Sequence, residues 1–423
     1  MLLFYNLLFP FIFLLFFPGL IIKLIRRPGH KENYLERFGI FSKNKAQNLL
    51  KFNASSWVHA VSVGETVVAT SFINELLIKH PNEKIVLSTT TTTGQELAQK
   101  NFANNPNVKI IFCPIDFYFF VKKALSLVNP NKLIIFETEI WPNLIHLAYK
   151  KDIPIFMVNA RMSDKSFRGY KKIEKIISGI LNKISKICVQ SEIDLTRFKE
   201  LTPKENCYLT GNMKFDQQVP KDLTPIDYRE YFGKDYKTII LAASTHPNEE
   251  EFILDSYTKL QEAYPTELKL VLVPRHAERG DSIEQLLIKR ETNYIRKTKQ
   301  TEKKEADILL ADTTGEMLKL MASADIVIMG KTLAGHNEGH NLIEPALLSK
   351  PIITGRKLTN FRVITDILRD AIIQIETNDE LYNSIKELHI NPEKKESLGA
   401  LSNRTILKHS GAIKKNINAI FPE

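Results

Sequence analysis

Short apolar runs alternate with longer amphipathic ones along most of the chain. In the first half, residues 57–63, 84–88, 108–113, 132–136, 153–158 and 187–190 are apolar or β-branched almost throughout. Such unbroken runs predict strands buried on both faces, as in a parallel sheet. Helical patterns lie between them; within 67–78, Val68, Phe72 and Leu76 recur at i, i+4. Residues 216–234 interrupt this rhythm with Pro220, Pro225, many charges and no sustained period, the pattern of an interdomain linker. The alternation then restarts at 238–243, 268–273, 308–310, 325–329, 351–354 and 371–375, and an amphipathic stretch over about 392–420 closes the chain. The expectation is an α/β protein of two Rossmann-like domains, 30–215 and 235–423, facing each other across a cleft, the second ending in a closing helix.

The start of the chain follows another pattern. Eighteen of residues 1–22 are apolar and none is charged; Lys23, Arg26, Arg27, His30 and Lys31 follow. About 20 apolar residues suffice to span a bilayer core. A basic flank marks the cytoplasmic side. A membrane anchor over 1–25 is therefore expected, with the bulk of the chain on the cytoplasmic side. A cleaved signal peptide fits worse, because no Lys or Arg precedes the apolar run and no A-x-A site follows it. Pro10 and Pro18 leave open whether the segment spans the bilayer or lies partly in its interface.

Composition narrows the partners. With 25% charged and 43% hydrophobic residues, the 423-residue chain is a packed globular protein and not a disordered one. The 58 Lys and Arg against 48 Asp and Glu leave a net charge of +10, which suits an anionic partner: nucleic acid, phospholipid headgroups or a phosphorylated substrate. Cys113, Cys188 and Cys207 are odd in number and form no C-x-x-C. A disulfide framework and a zinc site are both unexpected, and a reducing compartment is the default.

Open α/β sheets bind ligands at the carboxyl ends of their strands, so the residues just after each strand carry the interest. Ser62-Val-Gly64-Glu65 reads first as a capping box, in which Glu65 folds back on its own helix start. The alternative is a rim carboxylate acting as general base, with a pKa lowered by the helix start unless a bound acceptor desolvates it. Glu137-Thr-Glu139-Ile-Trp141 ends another strand. In an extended stretch i and i+2 share a face, so both acids would line one wall; solvated helix-start acids are the plain alternative. Arg161, after 153–158, either grips a phosphate or makes a surface ion pair. Gly211-Asn-Met-Lys214 ends the first domain and puts Lys214 at the expected cleft.

In the second half, Ser244-Thr245-His246-Pro247 with Glu249, Glu250 and Glu251 opens a helix whose amides form an anion site if the acids point away. Pro274-Arg275-His276 puts a cation at a strand end, and Gly315-Glu316-Met317 opens a helix whose amides suit a phosphate. His340-Asn341-Leu342-Ile343-Glu344 offers a carboxylate and an amide to ribose hydroxyls. Gly330-Lys331-Thr332 is no P-loop, because the required upstream Gly is Asp325. His336 and His340 do not make H-E-x-x-H, and no G-x-G-x-x-G follows any strand, so no metal or nicotinamide cofactor is expected.

Taken in order, SVGE, ETEIWPN, NARMS, GNMKFD, ASTHPNEEE, VPRH, DTTGEM and GHNLIEPA resemble the 3-deoxy-D-manno-octulosonic acid (Kdo) transferases of lipopolysaccharide assembly, from the apolar N-terminus to about residue 361. The resemblance implies a GT-B fold, with the acceptor on the N-terminal domain and the nucleotide sugar on the C-terminal one. It implies CMP-Kdo as donor and a phosphorylated lipid A precursor as acceptor. It also implies an inner-membrane location, membrane lipids and not nucleic acid as the anionic surface, and no cofactor. Glu65 matches the family's general base. Glu137 or Glu139, and Lys214, match positions assisting the transition state. Pro274, Arg275, Gly315, Glu316, Met317 and Asn341 to Glu344 match CMP-binding positions. Ser62, Gly64, Arg161, Ser244 and Thr245 are further substrate-contact candidates. Inverting transfer onto an acceptor hydroxyl is the implied reaction. Where the family usually reads GGS and then GGHNPLEP, this chain carries Lys331 and replaces the proline by Leu342. The alternatives on the residues alone are a two-Rossmann enzyme of another kind, such as an epimerase or a transferase with another donor, and a non-catalytic membrane-anchored nucleotide binder.

Overall fold

The computed structural model describes residues 2–9, 11, 33–202, 205–220, 222–299 and 305–422. Two compact units emerge: Met1–Asp216 together with Ser410–Glu423, and Gln217–His409.

In the first unit, β1 (Ser56–Ala60), β2 (Ile85–Thr89), β3 (Val108–Phe112), β4 (Lys132–Phe136), β5 (Ile155–Ala160), β6 (Lys186–Val189) and β7 (Cys207–Leu209) form one parallel sheet in the order β3-β2-β1-β4-β5-β6-β7. The second holds β8 (Thr238–Thr245), β9 (Leu268–Pro274), β10 (Tyr294–Arg296), β11 (Ile308–Leu310), β12 (Ile326–Met329), β13 (Ile352–Gly355) and β14 (Ile373–Ile375), ordered β10-β11-β9-β8-β12-β13-β14. Every recorded pairing is parallel; β1 lies between β2 and β4, with Val58 opposite Leu87 on one side and Ile134 on the other. All five residues of β1, and all seven of β9, are buried. The expected α/β architecture is thus present twice. Each sheet reverses its strand order once, at β1/β4 and at β8/β12, the switch points where such sheets take ligands.

The six strand positions expected in each half become seven among the described residues. The additions, β7 and β10, are three-residue edge strands in which only Ile295 is buried. Three residues are too few for a period to register.

Two boundaries differ from the sequence expectation. The second domain was expected to run to residue 423, but the helix Ala412–Ile420 belongs to the first unit. Its Ala412, Ile413, Ile417 and Ile420 join Val68, Phe72 and Met213 in one core cluster. Asp216 accepts from the amides of Gly411 and Ile413, which pins the returning chain. Hydrophobic period reports that a face will be buried, not which sheet buries it. Within 216–234, residues expected as a linker pack onto the second unit: Tyr228 donates to the Leu320 carbonyl at 2.9 Å, and Tyr231 and Phe232 are buried.

Of the expected anchor over 1–25, residues 1, 10 and 12–25 lie outside the described residues. Residues 2–9 are helical and docked by polar groups. Tyr5 donates to Asp116 Oδ2 at 3.1 Å, Asn6 and Asn143 exchange hydrogen bonds at 2.9 and 3.0 Å, and the amide of Tyr118 donates to Asn6 Oδ1 at 3.2 Å. Asp116 also accepts from the amides of Asn143 and Leu144, capping the helix Pro142–Lys150. Among the described residues, no helix is long and apolar enough to cross a membrane.

Replacing Ile417, 1% exposed, by Ala should destabilise the first unit by about 2–4 kcal/mol. In a denaturant melt followed by hydrogen exchange, protection should fall in β1, β4 and the helix Val63–Lys79 and hold in β8 and β9. Loss confined to the second unit would refute the assignment of the last helix.

Candidate active site

The turn after β1 builds a carboxylate into a helix start. Ser62 caps the helix Val63–Lys79, accepting from the Glu65 amide at 3.3 Å. The Glu65 carboxylate turns back to accept from the Val61 amide at 2.7 Å and from the Ser62 hydroxyl at 2.9 Å. Ser62 therefore caps the helix and Glu65 folds back on its start, as expected, but the reciprocal bond comes from the Val61 amide and not from that of Ser62, so the capping box is not closed. Yet the cap does not leave Glu65 an ordinary acid. Burial pushes its pKa up to about 7, against the two hydrogen bonds, and the charges of Glu137 and Glu139 push the same way. The sequence reading expected the helix start to hold the pKa down until an acceptor arrived; here the protein itself supplies the desolvation. Gly64 is exposed, and a Cβ there would meet only Ser62 Oγ at 3.9 Å.

Glu137 and Glu139 do not share a wall by extended geometry. Glu137 sits in the left-handed region at φ 54°, in a turn after β4. Its carboxylate accepts from Arg161 Nε at 2.9 Å, so the plain reading of Arg161 as a half-exposed ion-pair partner holds. Glu139 accepts from the Trp141 indole at 3.0 Å, and burial raises its pKa, with Glu137 adding to the effect. What unites the three acids is their mutual field.

Asn159, at the end of β5 with φ 53°, accepts from the Met213 amide at 2.9 Å and thereby seats the short turn that carries Lys214. The Lys214 ammonium makes no hydrogen bond or ion pair among the described residues. One group here escaped the sequence reading: His59, in the apolar run of β1. Its Nδ1 bonds Ser88 Oγ at 2.9 Å, its ring stands edge-on to Trp141 at 5.6 Å, and its buried Nε2 has no partner. Burial lowers its pKa to about 4, so it is neutral. The only signal was a lone imidazole in an apolar strand, which is usually a satisfied core residue.

In the second unit the rim is organised by an acid of the helix start. Glu249 is fully buried and accepts from the amides of His246, Lys331, Thr332 and Leu333 at 2.7–2.9 Å. It fills the anion site that free amides would have offered, and it fastens the turn after β12 to the end of β8. That closeness leaves no room at Gly330, where a Cβ would lie 2.3 Å from the Ser244 carbonyl. Ser244 marks a bulge in β8, at φ 56°. Thr245 is structurally committed: its hydroxyl donates to Glu250 at 2.6 Å and its carbonyl accepts the Arg275 amide at 3.0 Å.

Pro274 is buried at the end of β9, and the exposed Arg275 guanidinium beside it makes no hydrogen bond or ion pair among the described residues. Asn341 accepts from the Ile343 amide at 3.1 Å and donates to Gln217 at 3.3 Å. Leu342 and Ile343 are fully buried, so only their backbone can face a ligand. Burial raises the Glu344 pKa, with Asn341 and Arg275 opposing. Glu316 is held by Lys297 at 2.6 Å and by the Thr313 hydroxyl, which keeps it ionised, and Gly315 precedes it at φ 83° where the helix Met317–Ser323 begins.

Two Rossmann-like units, each built on a parallel seven-stranded sheet, the first rimmed with desolvated acids, make an α/β protein of the GT-B class. A solved UDP-GlcNAc 2-epimerase from Neisseria meningitidis shares the fold, with a TM-score of 0.59 at 15% identity over 87% of this chain and all of that one. The family described as 3-Deoxy-D-manno-octulosonic-acid transferase (kdotransferase) matches residues 32–217. The chain is 32% identical over 410 residues to the 3-deoxy-D-manno-octulosonic acid transferase of Haemophilus influenzae, covering 94% of this chain and 93% of the relative. It is 30% identical to that of Rickettsia bellii over 382 residues, 88% of this chain and 87% of the relative. The chain belongs to the Kdo transferase family and is a glycosyltransferase.

Carboxyl-detected NMR should show Glu65 titrating near pH 7. In Glu137→Gln, which removes one repelling charge and frees Arg161, that midpoint should fall. An unchanged midpoint would show that burial alone sets it.

Proposed function

We propose that the enzyme moves Kdo from CMP-Kdo to a hydroxyl of a lipid A precursor with inversion, using Glu65 as general base. The observation that carries this reading is the Glu65 carboxylate, buried at the switch point of the first sheet with a pKa of about 7. A base matched to neutral pH is half deprotonated there and still strong enough to draw the acceptor proton. The attacking oxygen meets the anomeric carbon as its bond to CMP breaks. The carbon passes through an oxocarbenium-like state, and Glu137 and Glu139 supply negative charge that favours it.

The donor reading belongs to the second unit. Arg275 supplies a cation with no ion pair among the described residues, Asn341 and Glu344 suit ribose hydroxyls, and the backbone at Gly315–Met317 offers amides to phosphate. Lys214, in the first unit, makes no ion pair among the described residues and keeps the transition-state role that the family resemblance implies for it. Fixed cations meet the leaving phosphate's charge, so the reading assigns no step to a metal ion.

The same reading sets the protein on the cytoplasmic face of the inner membrane. Supporting it are the apolar residues 1–22 with their basic flank. Leu3, Phe4, Leu7 and Phe11 are 60–76% exposed, an apolar face suited to the acyl boundary. The acceptor is lipid-embedded and anionic, so anchoring concentrates the enzyme where it is found and the +10 charge favours the approach.

Incubation with CMP-Kdo and tetraacylated lipid A precursor should yield, by mass spectrometry, a product heavier by at least one Kdo residue. Glu65→Gln should lower turnover by about 10²–10⁴-fold with CMP affinity retained; near-normal turnover would end its role as base. Arg275→Ala should weaken CMP binding about 10–100-fold in calorimetry, and an unchanged affinity would remove it from the donor site.

A further inference from the structure

Four histidines from three stretches of sequence meet at the carboxyl rim of the second sheet. His246 follows β8, His276 follows β9, and His336 and His340 lie in the turn after β12. The His246 ring lies 5.4 Å from His340, nearly parallel to it, 5.6 Å from His336 and 6.2 Å from His276. His246 Nε2 and His340 Nε2 are 3.2 Å apart. Two ring nitrogens at that distance share one proton, because two N–H groups cannot point at each other. His336 Nε2 lies 2.9 Å from the Pro247 carbonyl, which fits an N–H donor held in place.

The groups facing this pair are mostly cationic. Lys331, Arg279, His336 and His276 face His246; Arg275, Lys331 and Glu338 face His340. The neighbouring carboxylates are already engaged: Glu338 with Lys331 at 2.5 Å, Glu250 with Arg279 at 2.7 Å, and Glu249 with backbone amides. The rim is thus polar, proton-sharing and short of negative charge. Burial and these neighbours hold the pair neutral, with His340 down to about 4 and His246 also lowered.

We propose that His246 and His340, flanked by His276, His336 and Arg275, form a proton-linked subsite for the phosphate of the nucleotide. This rests on the donor reading above and adds to it residues to which that reading gives no role. The chemistry of the leaving group gives the reason. In the donor the phosphate is a diester with one negative charge. When the sugar–oxygen bond breaks, the oxygen keeps the electron pair and the phosphate becomes a monoester with two. A further proton, taken from solvent by the free Nδ1 of whichever ring donates its Nε2–H, turns the pair into an imidazole–imidazolium couple, still joined by the one shared proton, that meets the added charge; that proton leaves again when CMP departs. The acceptor's proton goes separately to Glu65.

Calorimetry of the full chain with CMP and with cytidine, in buffers of different ionisation enthalpy at pH 7, tests this. CMP binding should take up close to one proton, seen as a buffer-dependent enthalpy, and its affinity should rise by up to about tenfold per pH unit as pH falls. Cytidine, which lacks the phosphate, should show neither. His246→Gln and His340→Gln keep a hydrogen-bonding side chain but cannot titrate there; each should lose the proton uptake while still binding cytidine, which reports that the unit is folded. CMP binding without proton uptake in the parent, or uptake that persists in both variants, would overturn the subsite and leave the donor reading standing. No binding of CMP or cytidine would overturn the donor reading itself and the subsite with it.

Discussion

A parallel strand covered by helices on both faces has no solvated side on which to place a polar group, so its chemistry must sit where the strand ends. Both sheets obey this constraint along nearly their whole length. The consequence is economy of placement: Glu65, Glu137, Asn159, Ser244, Arg275 and Lys331 all lie within a few residues of a carboxyl strand end, though they are far apart in sequence. Several reach their positions through left-handed backbone, as at Glu137, Asn159, Ser244 and Lys331. Such conformations cost side-chain-bearing residues free energy, and they recur where a rim is shaped for ligands.

The two rims solve opposite electrostatic problems. The first gathers three acids, buries Glu65 and partly desolvates Glu139, which raises the pKa values of these two and makes Glu65 titrate where a base is useful. Its cap, the Val61 amide and the Ser62 hydroxyl, limits that rise and fixes the carboxylate's direction. The second rim does the reverse. Its acids are spent on structure, Glu249 clamping four amides and Glu250 holding Arg279 in a two-toothed pair, and its unspent groups are Arg275 and the histidines. One carboxylate thus does for the backbone of the turn after β12 what a phosphate would do at a P-loop.

The N-terminal helix shows how an apolar segment is made directional. Tyr5 and Asn6 are the polar exceptions in its first turns, and both bond the Asp116–Asn143 pair that starts the helix Pro142–Lys150. Phe9 stacks on Phe117 at 5.7 Å. The segment is therefore joined to the start of the helix that follows Glu139 and Trp141.

The pattern of apolar runs was enough to read two parallel α/β units and twelve of the strand positions, because burial on both faces leaves a signal that needs no partner to interpret. The eight ordered motifs were enough to read the family, because spacing at strand ends is kept by the fold. The capping role of Glu65 was also local and legible. Its pKa was not, because desolvation and the fields of Glu137 and Glu139 come from residues more than seventy positions away. The same holds for the last helix, whose apolar face is plain in sequence but whose choice of the first unit depends on Met213 and Phe72, and for His246, His276 and the His336–His340 pair, which no spacing connects. What the sequence by itself determined was each element and the face it buries, since these follow from local periodicity. Which distant elements share a core, and which charges share a field, only the tertiary structure decided, since both depend on through-space distance that periodicity does not encode.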